Sequence, residues 1–91
     1  AAELLAMKAA WLFDQGKSCG AEANAAKYLA SEAGFRACDV AMQTLGGRGY
    51  RKDFHVERLW REARLYQIVP ISQEMILNYV SEHVLGLPRS Y

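Results

Sequence analysis

Cysteine, histidine and proline each occur only twice in this 91-residue chain, and no single sign of charge dominates it. Each scarcity excludes something. Cys19 and Cys38 match no zinc-ligand spacing and are too few for a disulfide framework, so no metal site is expected and both read as ordinary thiols. That usage fits a reducing, cytoplasmic compartment. His55 and His83 stand far apart and share no Ser-His-Asp or Cys-His spacing, so they read as surface or packing residues rather than catalytic ones. No apolar run approaches the roughly 20 residues of a membrane span. The first residues show no basic region followed by an apolar block and cleavage site, so no secretory leader is expected in them. A net charge of +1 offers no overall field to recruit nucleic acid or an acidic membrane.

What is present is helix. Hydrophobic residues make up 52% and charged residues 23%, a globular balance for one domain at most. A chain this short buries only about 60–65% of its unfolded surface, which leaves a thin stability margin. The opening segment carries Leu5, Ala9, Leu12 and Phe13 at helical spacing and stops at Gly16. No capping residue precedes it, so it reads as a helix entered part-way. The longest helix is expected from Ala21 to Leu45. Along it Ala23, Ala26, Ala30, Ala33, Ala37 and Val40 form a small-residue seam that admits a close neighbour. Tyr28, Phe35 and Met42 widen its apolar surface. A third helix is expected from Val56 to Ile68, with Asp53 as N-cap, Glu57–Arg61 in the favourable order, and Leu59, Ala63 and Tyr66 on one stripe. The fourth runs from Gln73 to Leu85, with Ser72 as N-cap, Glu74 in the first turn, and Ile76, Val80 and Val84 facing inward. Gly86 and Pro88 stop it before a short exposed tail ending at Tyr91. The sum is an all-α, incomplete up-and-down four-helix bundle whose uncovered apolar surface asks for partner helices.

One stretch breaks this pattern. In "MQTLGGRGY" three glycines, Gly46, Gly47 and Gly49, follow the long helix, with the amide of Gln43 just before them. A dinucleotide fingerprint must follow a strand and open a helix, and here a helix precedes; a P-loop needs a Lys-Ser/Thr that is absent. Two readings remain at this level. Either the glycines are a helix stop and tight turn, or they leave backbone N–H groups bare for phosphate or ribose oxygens. The following basic stretch holds Arg48, Arg51, Lys52, Arg58, Arg61 and Arg64. Asp53, Glu57 and Glu62 interleave with it, which favours a salt-bridged helix face over a nucleic-acid stripe.

The segment "AAKYLASEAGFRACDVAMQTLGGRGY", then "VERLWREARLYQI", a break and a last helix resemble the C-terminal helical domain of acyl-CoA dehydrogenases over essentially residues 1–91. The resemblance implies an oligomeric flavoprotein in which FAD removes hydrogen across the α,β-carbons of an acyl-CoA thioester and passes electrons to an acceptor. It also implies that the first helix of the bundle lies outside this chain. By the same resemblance Gln43, Gly46 and Gly47 contact the nucleotide part of an FAD held by a neighbouring subunit. Many family members carry Tyr-Glu-Gly-Thr after the third helix, the Glu being the base for the α-proton. Here the matching residues are Val69-Pro70-Ile71-Ser72, and proline cannot take a proton. Ser72 keeps the hydroxyl of the family threonine and joins the cofactor-binding set; Glu74 stands where a family glutamine often assists. No catalytic residue is therefore assigned within the chain. Some members of the family place the base on the first bundle helix, which would leave a longer parent active; otherwise the parent has lost dehydrogenation. The rival reading is a non-catalytic helical association module.

Overall fold

The computed structural model describes residues 1–89; the last two residues of the expected exposed tail lie outside the described part. Four α-helices make up the fold: α1 (Ala2–Asp14), α2 (Gly20–Leu45), α3 (Val56–Leu65) and α4 (Gln73–His83), with 3-10 turns at Gly46–Arg48 and Lys52–Phe54 between α2 and α3. No strand occurs among the described residues. The all-α class read from periodicity therefore holds.

The 26-residue α2 is the spine, and α1, α3 and α4 each pack on it. Pairings along α2 run in reverse order to the chain. Trp60 Nε1 donates to Asp39 Oδ1 at 3.0 Å, and Gln67 Nε2 donates to Glu32 Oε1 at 2.7 Å. Further along, Gln73 Nε2 reaches the same Glu32 oxygen at 2.6 Å, and Tyr79 lies against Gly20. Hence α3 and α4 both run antiparallel to α2 and form one interrupted leg, α3 along its C-terminal half and α4 along its N-terminal half. On α1, Lys8 pairs with Glu22 of α2 at 2.9 Å. The result is open: the radius of gyration is 16.2 Å, against about 12 Å for a compact chain of this length.

Local signals explain the boundaries. α1 ends in a Schellman turn: Gly16 sits at φ +66°, its N–H bonds Phe13 O at 2.9 Å, and the Lys17 N–H bonds Leu12 O at 2.9 Å. Ser72 caps α4 by accepting from the Met75 N–H. Asp53 does not cap α3. Its carboxylate is gripped by Arg51 at 2.8 Å inside the second 3-10 turn, and His55, at φ +59°, takes the N-cap position without a side-chain bond. Because α3 starts only at Val56, Asp53 stands two residues ahead of the position a capping side chain would need. α3 stops at Leu65, short of Ile68, because the chain tightens into i→i−3 bonds, Gln67 N–H to Arg64 O and Ile68 N–H to Leu65 O. α4 stops at His83 rather than Leu85.

The core is small. Ala9, Ala26 and Ile76 are its buried apolar residues, Ile76 alone being fully enclosed at 1% exposure. Phe13 and Val84, expected on inward stripes, face outward. Along the α2 seam only Ala26 is buried; Ala23, Ala30, Ala33, Ala37 and Val40 are exposed. The chain's own helices settle beside the seam because larger side chains such as Phe35 direct the contacts: its ring lies 5.3 Å from that of Trp60. The interleaved charges on the third helix do pair, Arg61 with Glu57 at 2.9 Å and Arg58 with Glu62 at 2.8 Å.

Ile76→Ala should cost about 2–4 kcal/mol in denaturant unfolding, as a fully buried aliphatic does, whereas Val84→Ala should stay within about 1 kcal/mol. Arg61 holds the Glu57 carboxyl below its ordinary range, first through the side-chain hydrogen bond and then through its charge. A carboxyl that titrates lower folded than unfolded stabilises the fold above its unfolded pKa and loses that contribution as pH falls through the folded one. Thermal stability should therefore drop below about pH 4.5, and Glu57→Gln should make the melting temperature less sensitive to acid in that window.

Candidate functional site: the glycine turn and the interhelix segment

The three glycines after α2 are not equivalent. Gly46 adopts φ +56°, ψ −136°, a conformation closed to side-chain-bearing residues. Gly49 is buried, and a Cβ there would stand 2.9 Å from Met42 O and 3.0 Å from Met42 Cα. These two are glycine because the turn demands it. Gly47 is different. Its φ is not positive, it is exposed, and a Cβ would meet nothing within 4 Å. Nothing in the fold of this chain requires it to be bare.

The N–H groups of the turn are less available than the sequence implied. That of Gly46 bonds Gln43 O, and that of Gly49 bonds Gly46 O at 2.9 Å. The free polar group is instead the Gln43 side chain, which is exposed and makes no hydrogen bond among the described residues. An amide with both donor and acceptor unused thus stands one turn before two glycines where a Cβ would meet only open space. These features fit the edge of a flat polar ligand with mixed donors and acceptors, such as the nucleotide end of a dinucleotide.

The segment between α3 and α4 is the second region. Pro70 is exposed, follows a cis peptide bond from Val69, and carries no ionisable group. The Ser72 oxygen accepts from the Met75 N–H at 3.4 Å. Ser72 is thus already engaged by its own helix. The Glu74 carboxyl is held below the usual range, first by its own backbone N–H, then by Ser72, with Arg64 adding positive charge nearby. Such a carboxylate is a weakened base. Glu62 is committed to Arg58.

Sequence reasoning missed the residues that shape this segment. Lys27 Nζ donates to the carbonyl oxygens of Tyr66 and Ile71, the latter at 2.6 Å. Gln67 is buried; its side-chain oxygen accepts from Arg64 and its amide nitrogen donates to Glu32. The signal was available in principle: a buried amide in the apolar run "LYQIV" needs partners, and Lys27 and Glu32 interrupt a helix face otherwise rich in alanine. Beside the segment lies an apolar groove of about 390 Å³ between α2 and α3, lined by Ala30, Gly34, Phe35, Leu59, Ala63 and Tyr66 among others.

Gln43, Gly46 and Gly47 are not brought together with Ser72. Gln73 touches Ser31 and Glu32, and Gln43 lies eleven residues beyond Glu32 on the same helix. At 1.5 Å per residue that is a separation of about 17 Å along the axis. Among the described residues no group of three His, Cys, Asp or Glu side chains could hold a metal ion, and Cys19 and Cys38 are free. No helix is long and apolar enough to cross a membrane.

Comparison with known proteins bears directly on this arrangement. The family model for the C-terminal domain of acyl-CoA dehydrogenases matches residues 1–85. Acyl-CoA dehydrogenase FadE12 of Mycobacterium tuberculosis is 51% identical over 92 residues, covering 99% of this chain and 24% of the relative. An acyl-CoA dehydrogenase of Bacillus subtilis is 43% identical over 86 residues, covering 94% of this chain and 23% of the relative. The caffeyl-CoA reductase-Etf complex subunit CarC of Acetobacterium woodii is 44% identical over 68 residues, covering 75% of this chain and 18% of its own. The chain thus spans about a quarter of the length of the first two relatives. With four helices, a glycine-terminated spine and a match over nearly its whole length, the chain belongs to the acyl-CoA dehydrogenase family, in the region of its C-terminal helical domain.

Proposed function

We propose that this chain is the helical C-terminal part of an FAD-dependent enzyme that dehydrogenates acyl-CoA thioesters at the α,β-carbons, and that it supplies cofactor contacts and oligomer surface. One observation carries the reading most: Gly47 is bare without any need of its own fold, beside the unpaired amide of Gln43. A helix-association module has no use for either. Gln43 would give a directed hydrogen bond to the nucleotide part of FAD, and Gly46 and Gly47 would let it approach the main chain. FAD, when bound, supplies the acceptor for the hydrogen lost from the acyl chain. Ser72 is the cofactor-contacting hydroxyl of the interhelix segment, working with whatever capacity its capping bond leaves.

Within this chain nothing acts as the α-proton base. Pro70 cannot, and Glu62 and Glu74 are committed elsewhere. The base therefore belongs to another part of the full-length protein. The isolated chain is inactive, because it spans only about a quarter of its relatives' length and offers no base at residue 70. Exposed apolar side chains on α1, including Leu4, Met7 and Phe13, support association with further helices in a homo-oligomer. Similarity to a subunit of an Etf complex supports an electron-transfer protein as the acceptor. Two free thiols suit a cytoplasmic setting.

The alternative is a relative without dehydrogenase activity. Proline at residue 70 favours it, and the similarity to a protein named 3-(aryl)acrylate reductase, from Clostridium sporogenes, shows that related chains carry names for other reactions.

The full-length protein should purify yellow. Gln43→Ala should weaken FAD retention by about three- to tenfold, the worth of one hydrogen bond. Gly47→Val should lower FAD content further while leaving the melting temperature of the flavin-free protein unchanged, since its side chain enters open space. A colourless full-length protein, or full FAD retention in both variants, sinks the cofactor role. The isolated chain should show no acyl-CoA-dependent dye reduction, with Pro70 or with Pro70→Glu; turnover by the unchanged chain contradicts the assignment of the base to another part of the protein, and turnover only by Pro70→Glu contradicts the need for the rest of the full-length protein.

A further inference from the structure

The segment from Tyr66 to Ser72 joins two helices, yet its polar backbone is not left to solvent as in an ordinary connecting loop. Two groups of opposite charge on α2, five positions apart, each bridge both of its ends. Lys27 ties residue 66 to residue 71 by donating to both carbonyl oxygens. Glu32 ties residue 67 to residue 73 by accepting from both side-chain amides on a single oxygen, at 2.7 and 2.6 Å. A third tie runs inside the segment, from the Gln73 N–H to Gln67 O at 3.2 Å. Gln67, at the centre, is 7% exposed with both side-chain heteroatoms satisfied, by Arg64 and by Glu32. By contrast, Ile68, Val69 and Pro70 at the crest have exposed side chains.

We propose that Lys27 and Glu32 are positioning residues: they clasp the interhelix segment from α2, and so fix where residue 70 and Ser72 stand relative to the acyl substrate and the cofactor. This rests on the dehydrogenase reading above. The chemistry of the clasp is specific. An ammonium with three donors can serve two carbonyl groups at once, and a carboxylate oxygen with two lone pairs can serve two amide donors. Glutamine at residue 32 keeps an oxygen with two lone pairs; alanine and the shorter aspartate do not place it within reach.

The test uses the full-length flavoprotein, with rates expressed per bound FAD and measured well below each variant's melting temperature. Lys27→Met and Glu32→Ala should lower kcat by about ten- to a hundredfold, the scale of small misplacements in an active site. KM for acyl-CoA should remain within about twofold, because a displaced segment alters the reacting geometry more than the binding of the CoA portion. Glu32→Gln should restore kcat to within about threefold of the parent. Glu32→Asp keeps the charge on an exposed helix position and serves if the alanine variant does not fold; it too should lose at least tenfold in kcat. Wild-type kcat per FAD in Lys27→Met and Glu32→Asp, with only melting temperature reduced, overturns the positioning role while leaving the dehydrogenase reading intact. A full-length protein that carries no flavin overturns both.

Discussion

A break in a helical leg has to be closed by something, and here α2 closes it. Between α3 and α4 the chain gives up regular helical bonding over seven residues, which frees carbonyl and N–H groups that helices normally satisfy. Lys27 takes up part of that deficit from the side by donating to the Tyr66 and Ile71 carbonyls, the Gln73 N–H bonds Gln67 O, and Glu32 ties the side-chain amides of Gln67 and Gln73 to α2. Because the partners lie about 40 residues back in the sequence, closure of the break also docks the second half of the chain on the first. The Phe35–Trp60 contact and the Trp60–Asp39 bond extend the same interface toward the C-terminal end of α2. The rest of the molecule follows from this docking: a single spine, two legs beside it, and a seam of small residues that the chain's own helices leave exposed except at Ala26.

How much of this could be read from the sequence differs by the range of the interaction. Helix existence, the Gly16 stop and the Ser72 cap depend on a few neighbouring residues, and those neighbours are visible in a string of letters. Asp53 shows the limit of that reading. Its residue type is a good cap, yet α3 starts only at Val56, with His55 at the N-cap position. The early end of α3 shows it too, since the chain tightens where Lys27 and Glu32 draw it across α2. Phe13 and Val84 sit at the edge of their apolar stripes, where spacing alone cannot decide between core and surface.

The candidate site divides the same way. Glycines in a row announce a turn, but only the three-dimensional arrangement separates the two that serve the turn from the one that does not. Gly46 is fixed by its backbone angles and Gly49 by Met42, which leaves Gly47 as the informative residue. The clasp was beyond a one-dimensional reading because Lys27 and Glu32 on α2, Gln67 in the interhelix segment and Gln73 on α4 are far apart in sequence and match no local motif. The family relationship, seen over residues 1–85, accounts for the order of the helices.

The central claim is that the end of α2 receives a flavin nucleotide. Hydrogen–deuterium exchange on the full-length protein, with FAD bound and after its removal, addresses that most directly. Peptides covering residues 43–49 should exchange markedly more slowly with FAD present, while those of the solvent-facing side of α3 should not change. Equal exchange at residues 43–49 in both states would contradict the claim and leave the glycine turn as a structural stop alone.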